Sequence, residues 1–146
     1  MEFLNEVRVE TAATAVGMGQ GALERAVDYA KNREAFGQKI GNFQAISHKL
    51  AEMATKVETA RLAVYKAAWS VDNQKNDLKI CSIAKWYAGR MAVEVTDEAI
   101  EIMGGHGYML ENDVERFYRD AKSTELVEGT KEIHKNAIAK VLLGKL

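Results

Sequence analysis

The sequence predicts an all-α protein, an antiparallel up-down bundle of three long helices, one short helix and one medium helix. The 146 residues include no proline, although average usage of about 5% gives roughly seven in a chain of this length. Nothing therefore forces a long helix to break. Apolar residues also recur at helical spacing. Two glycine clusters, at 37–41 and 104–107, stand where helical patterns stop.

The first long helix is expected from Leu4 to Arg33, with an apolar arc wide enough to pack on two sides. Residues 32–41 lose this period and are predicted to form a connection. The second helix is expected from about Phe43 to Asp72, where apolar residues alternate at 4-3 spacing. These residues are Ile46, Leu50, Met53, Val57, Ala60, Val64, Ala67 and Val71. We predict burial for Ile46, Leu50, Met53, Val57 and Val64.

Three further helices complete the predicted bundle. Asp77 can cap the third helix, which is expected to reach Met103 and to stop at the glycines of 104–107. A short helix is predicted over 113–121, and the last helix over 130–143. Because the connections are short and no linker interrupts them, residues 1–146 are expected to form a single helical domain.

Charge and cysteine content exclude several classes of protein. The net charge of −1 provides no field to attract nucleic acid or an anionic membrane. A single cysteine, Cys81, excludes an internal disulfide framework. No segment approaches the ~20 apolar residues of a membrane span, and residues 1–10 lack the apolar core of a secretory signal. We expect a cytoplasmic protein, or an organelle-matrix protein if a targeting segment precedes this chain.

A metal site is not expected. A di-iron site in a helical bundle needs Glu-x-x-His motifs with inward carboxylates. Glu132 and His134 are separated by two positions, which points their side chains to different faces of a helix. The three histidines share no metal-ligand spacing.

Two clusters are candidate functional sites. Arg33, Phe36 and Gln44 surround a glycine turn, and such a set can bind a phosphate or a planar ring. Many surface loops have a similar composition, so the residues alone leave both interpretations open. Glu128 lies beside Gly129 and apolar residues, which favours a partly desolvated carboxylate suited to general base work. The other interpretation is an acidic residue stabilised by the dipole of the following helix.

The motifs of the chain, taken together, resemble those of the acyl-CoA dehydrogenase family, in the family's own order. They are Arg33-x-Ala35-Phe36-Gly37 with Phe43-Gln44-Ala45, Ile102-Met103-Gly104-Gly105-x-Gly107-Tyr108, Tyr118-Arg119-Asp120-Ala121-Lys122 and Glu128-Gly129-Thr130-x-Glu132-Ile133. The resemblance covers residues 4–143 and is to the family's C-terminal helical domain. The family's upstream helical domain and small β domain are not expected within these 146 residues.

This resemblance implies α,β-desaturation of an acyl-CoA thioester with FAD as the oxidant. Glu128 matches the glutamate that removes the α-proton, and its backbone N–H matches a group that helps to hold the thioester carbonyl. Gly129 matches a position where the backbone approaches the substrate. Arg8 and Asn5 match positions on the substrate side of the first helix, Asn5 near the CoA arm.

The resemblance also implies cofactor contacts and partners. Matched FAD contacts are Arg33, Phe36, Gln44, Glu101, Gly104, Gly105, Thr130 and Glu132. The first three match residues that reach the FAD of a neighbouring subunit, which implies a homodimer or homotetramer. An electron-transfer flavoprotein is the implied electron acceptor, although the sequence leaves an oxidase that uses oxygen open.

Several positions depart from the family pattern. Glu101 stands where many relatives have glutamine, Asn5 where many have aspartate, and Val127 where an aromatic residue is common. The base of isovaleryl-type members lies at the position that Val7 occupies here, so Glu128 is the better candidate.

Two hypotheses remain at the level of sequence. One is the C-terminal domain of an FAD-dependent acyl-CoA dehydrogenase, inactive when isolated. The other is a non-catalytic helical assembly module that kept the fold. The length of the acyl chain is left open by the motifs.

Overall fold

The computed structural model describes residues 2–144, with side chains from Phe3 onward, and confirms the all-α bundle. Residue 1 and residues 145–146 of the predicted domain lie outside the described residues. The helices are α1 (Glu2–Asn32), α2 (Gln44–Asp72), α3 (Leu78–Met103), α4 (Gly105–Tyr108), α5 (Val114–Thr124) and α6 (Lys131–Leu143). A short antiparallel hairpin, β1 (Glu34–Ala35) and β2 (Gln38–Lys39), joins α1 to α2.

The predicted cap of the third helix is confirmed. The side-chain oxygen Oδ1 of Asp77 accepts hydrogen bonds from the backbone N–H groups of Lys79, at 2.9 Å, and Ile80, at 3.1 Å. These bonds satisfy two N–H groups that have no partner inside the helix. The helix therefore begins at Leu78.

Consecutive long helices run antiparallel. Asn5, near the start of α1, donates to the backbone oxygen of Asn76, just after the end of α2, at 3.2 Å. Lys56 of α2 pairs with Glu94 of α3 at 2.8 Å. Because α2 runs against both of its neighbours, α1 and α3 run parallel to each other. The wide apolar arc of α1 is used inside the chain, where α2, α3 and α5 all pack against it.

The core is built largely from small side chains, which allow the helices to approach closely. Its buried alanines are Ala12, Ala15, Ala22, Ala26, Ala30, Ala60, Ala67, Ala84, Ala88, Ala92, Ala99 and Ala121. Met53, Val57 and Val64 are buried as predicted. The prediction was wrong for Ile46 and Leu50, which are half-buried. These two residues lie in the first two turns of α2, where the bundle ends.

Two local features differ from the predicted connections. The segment after α1 contains the β-hairpin, and a 3₁₀ turn follows it at Ile40–Asn42. The glycines after α3 turn the chain at Gly104, where φ is 58°, and a further four-residue helix, α4, follows. Both pieces are too short to show a periodic pattern in sequence.

Across residues 2–144, the helices lack the combined length and apolarity needed to cross a membrane.

Candidate functional site

Glu128 lies in the turn between α5 and α6. The backbone N–H groups of Leu126 and Val127 donate to the carbonyl oxygen of Ser123, at 2.9 and 3.0 Å. The backbone then takes two consecutive left-handed conformations, with φ of 53° at Glu128 and 101° at Gly129. A side chain at positive φ is strained, and such strain is often stored at functional sites.

The carboxylate of Glu128 is exposed in this structure. The predicted partial desolvation by its apolar neighbours is therefore not seen within this chain. Leu126 and Val127 are themselves 59% and 47% exposed, so they do not shield it.

A buried pair of side chains anchors this turn from below. Lys85 of α3 donates from Nζ to the carbonyl oxygen of Gly129 at 2.7 Å. His134 of α6 donates from Nε2 to the same oxygen at 3.0 Å. Lys85 is 2% exposed and His134 is fully buried. The residue after Glu128 is thus held by donors from two helices.

The electrostatics follow from this burial. Desolvation, together with the positive charges of Lys85 and Arg8, lowers the pKa of His134 to about 4. The imidazole is therefore neutral near pH 7, with its proton on Nε2, and Nδ1 finds no hydrogen-bond partner within residues 2–144. Burial also lowers the pKa of Lys85, while the charges of Glu125 and Glu128 act in the opposite direction.

Arg8 and Asn5 lie at the same end of the bundle as Glu128. Arg8 donates from Nη1 to Oδ1 of Asn5 at 3.0 Å. Its positive charge lowers the pKa of both Lys85 and His134, the two side chains beneath this turn. Asn5 is 3% exposed, and its amide is already engaged with Asn76. In this structure Asn5 orients Arg8, while Arg8 itself is half-buried.

Thr130 and Glu132 open the last helix. Thr130 is the N-cap residue, and its side chain makes no capping hydrogen bond. Glu132 is exposed in the first turn, and a hydrogen bond with its own backbone N–H lowers the pKa of its carboxyl. Apart from the N–H of Glu132, the first N–H groups of this helix have no capping side chain and can face an acceptor.

Phe36 lies at the tip of the hairpin after α1. Ala35 pairs with Gln38, and the two residues between them have φ of 52° at Phe36 and 80° at Gly37. Two central residues at positive φ are typical of a type I′ turn. The ring of Phe36 is 96% exposed and meets the edge of Phe43, with ring centroids 6.3 Å apart.

The hairpin presents several polar groups beside this ring. Arg33 and Gln44, which flank the hairpin, are both exposed. An ion pair between Lys39 and Glu34, at 2.7 Å, ties its two strands together.

The turn after α3 lies next to the end of α1. Glu101, Gly104 and Gly105 are exposed there. The hydroxyl of Tyr29 is 3.3 Å from Nδ1 of His106, and Tyr29 lies one turn before Arg33. The hairpin and this turn therefore share one end of the bundle.

A family model described as the acyl-CoA dehydrogenase C-terminal domain matches residues 1–143. The chain belongs to the acyl-CoA dehydrogenase family. It is 48% identical over 136 residues to the probable acyl-CoA dehydrogenase YngJ of Bacillus subtilis, covering 93% of this chain and 36% of YngJ. It is 44% identical over 145 residues to the caffeyl-CoA reductase-Etf complex subunit CarC of Acetobacterium woodii, covering 99% of this chain and 38% of CarC.

A solved relative confirms the fold. The structure of butyryl-CoA dehydrogenase from Megasphaera elsdenii superposes with a TM-score of 0.94 at 43% identity, covering 96% of this chain and 37% of that one. The chain thus spans well under half the length of these acyl-CoA dehydrogenase relatives.

The residues matched to acyl-CoA dehydrogenase motifs fall at two ends of the bundle. One end holds Arg8, Asn5, Glu128, Gly129, Thr130 and Glu132. The other holds Arg33, Phe36, Gln44, Glu101, Gly104 and Gly105. Lys85 and Glu101 mark these ends on α3, and at 1.5 Å per residue they are about 24 Å apart. The structure brings each set together and keeps the two sets separate.

Lys85 and His134 were not found as site residues by sequence reasoning. Lys85 carried one usable signal, because it lies in the inward pattern of α3 between Ala84 and Ala88, where a charge is unexpected. His134 carried none, since an isolated histidine on a helix is ordinary.

Proposed function

We propose that this chain serves as the C-terminal domain of an FAD-dependent acyl-CoA dehydrogenase, with Glu128 as the catalytic base. Membership of the family supports the reaction class, and YngJ is itself named a probable acyl-CoA dehydrogenase. The observation that carries the assignment of the base is the exposed carboxylate of Glu128 on a strained, doubly anchored turn.

In the proposed reaction, the carboxylate of Glu128 takes the proton from the α-carbon of the acyl thioester. The electron pair of that C–H bond forms the α,β double bond. The hydride that leaves the β-carbon would go to FAD, whose bound flavin would supply the oxidant. The backbone N–H of Glu128 donates to the thioester carbonyl, where negative charge develops. Arg8, oriented by Asn5, supplies a positive charge beside this carbonyl region.

The chain offers residues that suit FAD at each end. The start of α6, which no side chain caps, presents backbone N–H groups suited to ring oxygens of the flavin. Arg33 and Gln44 present donors suited to phosphate and to adenine acceptors. Phe36, 96% exposed at positive φ, offers a flat apolar surface.

The separation of the two ends supports a subunit-spanning arrangement. The residues around Arg33 and those around Glu128 are about 24 Å or more apart along α3, so we assign them to different FAD molecules. The Glu128 end would serve its own subunit's site, and the Arg33 end that of a neighbour in a homodimer or homotetramer. An electron-transfer flavoprotein is the proposed electron acceptor, supported by the name of CarC as a subunit of an Etf complex.

The test uses a chimera in which residues 1–143 replace the matching C-terminal part of the M. elsdenii butyryl-CoA dehydrogenase. We expect the chimera to retain FAD and to oxidise butyryl-CoA with a dye acceptor. Glu128→Gln keeps the size of the side chain and removes its basicity, so turnover should fall by at least about 10²-fold, while butyryl-CoA still binds. Glu10→Gln removes an exposed carboxylate of α1 to which no role is assigned, and serves as the control for loss of an acid outside the base position.

Each failure has a distinct meaning. If the Glu128→Gln chimera keeps more than about a tenth of the turnover, the base is another residue, and Glu6 is the next to substitute. A folded chimera of the parent's oligomeric size that loses FAD contradicts the proposed cofactor contacts. That result favours a non-catalytic assembly module.

A further inference from the structure

The carbonyl of Gly129 receives two hydrogen bonds from buried side chains of different helices. Lys85 Nζ is 2.7 Å away and His134 Nε2 is 3.0 Å away. Both side chains are almost completely removed from solvent. A carbonyl oxygen has two lone pairs, so these donors saturate it.

This arrangement is costly by itself. Burying a lysine and a histidine removes both from water, and the penalty is large unless hydrogen bonds compensate it. His134 leaves Nδ1 without a partner among the described residues, so the bond from Nε2 to Gly129 offsets only part of this penalty. An apolar pair of similar volume would join α3 to α6 without these penalties. Helix packing alone therefore does not account for Lys85 and His134.

The backbone that they hold is itself strained. Glu128 is a residue with a side chain at φ 53°, immediately before Gly129 at φ 101°. The left-handed conformation is unfavourable for a residue other than glycine, because its Cβ atom crowds the backbone. It persists only where the surroundings fix it. Leu126 and Val127, on the other side of Glu128, are exposed and provide little packing. The Gly129 carbonyl is thus the buried anchor next to Glu128.

We propose that Lys85 and His134 are positioning residues for Glu128, which they aim at the substrate by fixing the carbonyl of Gly129. This inference rests on the proposed function, since it takes Glu128 to be the base. Because both side chains are buried beneath the turn, they would act through the backbone and not by contact with substrate or FAD. Small errors in the placement of a base have large effects, because a shift of about 1 Å can cost about 10²-fold in rate.

The substitutions are chosen to separate the effect of the hydrogen bonds on the position of Glu128 from the effect of side-chain volume on packing. Lys85→Met keeps the volume and removes the donor, whereas Lys85→Arg keeps a donor and a charge. His134→Gln keeps an N–H donor, whereas His134→Leu removes it. Lys135→Met is the matched control, because Lys135 is exposed on the same helix and faces the ring of Trp86 at 5.0 Å.

The first readout uses the 146-residue chain itself. Removing a donor should move the ¹³C carbonyl resonance of Gly129 upfield in Lys85→Met and in His134→Leu, and leave it unchanged in Lys135→Met. If the resonance does not move in either donor-free variant, the hydrogen bonds do not hold this carbonyl and the inference is overturned, whatever the chimera does.

The second readout uses the chimera described above. We expect Lys85→Met and His134→Leu to lower kcat at least about tenfold with KM for butyryl-CoA within about threefold. His134→Gln and Lys85→Arg should recover most of kcat. Should Lys85→Met fail to fold, the pair His134→Gln and His134→Leu still decides the question.

The two proposals fail in different ways. If the chimera does not turn over butyryl-CoA, or if its turnover does not depend on Glu128, the proposed function is wrong. The positioning role then fails with it. An active, Glu128-dependent chimera in which the donor-free variants keep kcat within about threefold of the parent overturns the positioning role alone.

Discussion

His134 gives the chain a pH dependence that can be measured without substrate. Its pKa is about 4 in the folded chain, against an ordinary value of 6.5. Between these values the unfolded chain binds more protons than the folded chain, so stability rises with pH. The full contribution is present above pH 6.5 and is lost progressively as the pH falls toward 4.

The expected loss can be compared with a variant that does not titrate. We expect the free energy of unfolding of the wild-type chain to fall by about 2 kcal/mol more between pH 7.5 and pH 5 than that of His134→Gln. The measurement is urea denaturation at the two pH values. Equal losses in both proteins would show that His134 is protonated in the folded chain at pH 5.

At the level of single residues, the sequence identified the exposed candidate site residues better than the buried residues that hold their backbone in place. Glu128 and Arg33 stand in motifs whose residue order can be read directly. Lys85 lies 43 positions before Glu128, and nothing local links the two. Their connection exists only because α3 and α6 pack together. A single buried charge in an inward pattern is a sign of such a partner, but it does not identify the partner.

Burial along α2 determines how the helix responds to truncation. Met53 is 2% exposed, so Met53→Ala should lower the free energy of unfolding by about 2–5 kcal/mol. Leu50 lies one turn earlier and is half-buried, so Leu50→Ala should cost clearly less. Denaturant titration of both variants tests this order. The reverse order would mean that the start of α2 is packed more tightly than the structure describes.

The junction of α3 and α4 depends on one close approach. A Cβ atom at Gly107 would lie 2.9 Å from Cα and from the backbone oxygen of Ile100. Gly107→Ala should therefore destabilise the chain by about 1–3 kcal/mol, because backbone must move. Gly105→Ala is the control, since a Cβ atom there meets nothing within 4 Å. Thermal unfolding of the two variants should differ clearly, and similar melting temperatures would contradict the packing.

Long helices were predictable because their apolar spacing extends over many turns, and the cap at Asp77 added a local signal. The hairpin and α4 were not predictable, because elements of two to four residues are too short to show a periodic pattern of apolar residues. Their conformation comes from positive φ angles at Phe36, Gly37 and Gly104. Glycine permits such angles, but its presence in a sequence does not predict which type of turn will form. The half-burial of Ile46 and Leu50 likewise depends on where the neighbouring helices end.

Considered as a whole, the proposed FAD contacts lie on open surface in the described part of the chain. Glu128, Arg33 and Phe36 are all exposed. Immobilising a large cofactor costs entropy that scattered contacts do not offset. We expect the 146-residue chain to release FAD during gel filtration and to leave dye unreduced with butyryl-CoA. Stoichiometric retention of FAD would overturn this expectation.

We expect the chain to self-associate through the outer face of α2. Leu62, Tyr65 and Trp69 lie on this face and are 60%, 62% and 53% exposed. An apolar row of this kind is a common interface feature. We expect dimers or larger species by sedimentation at tens of micromolar, and a shift toward monomer in Tyr65→Lys. A monomeric wild-type chain would contradict this prediction.

The buried amine of Lys85 also makes the Glu128 turn visible to chemical labelling. Of the lysines in residues 2–144, Lys85 is the one that is buried, and its lowered pKa makes it a better nucleophile once it is reached. An acylating reagent should modify the exposed lysines at once and Lys85 only when the turn opens. The rate of the slow phase of acylation, measured from peptide masses, would then report the rate at which this turn opens. We expect a faster slow phase in His134→Leu, which lacks one of the two hydrogen bonds to Gly129.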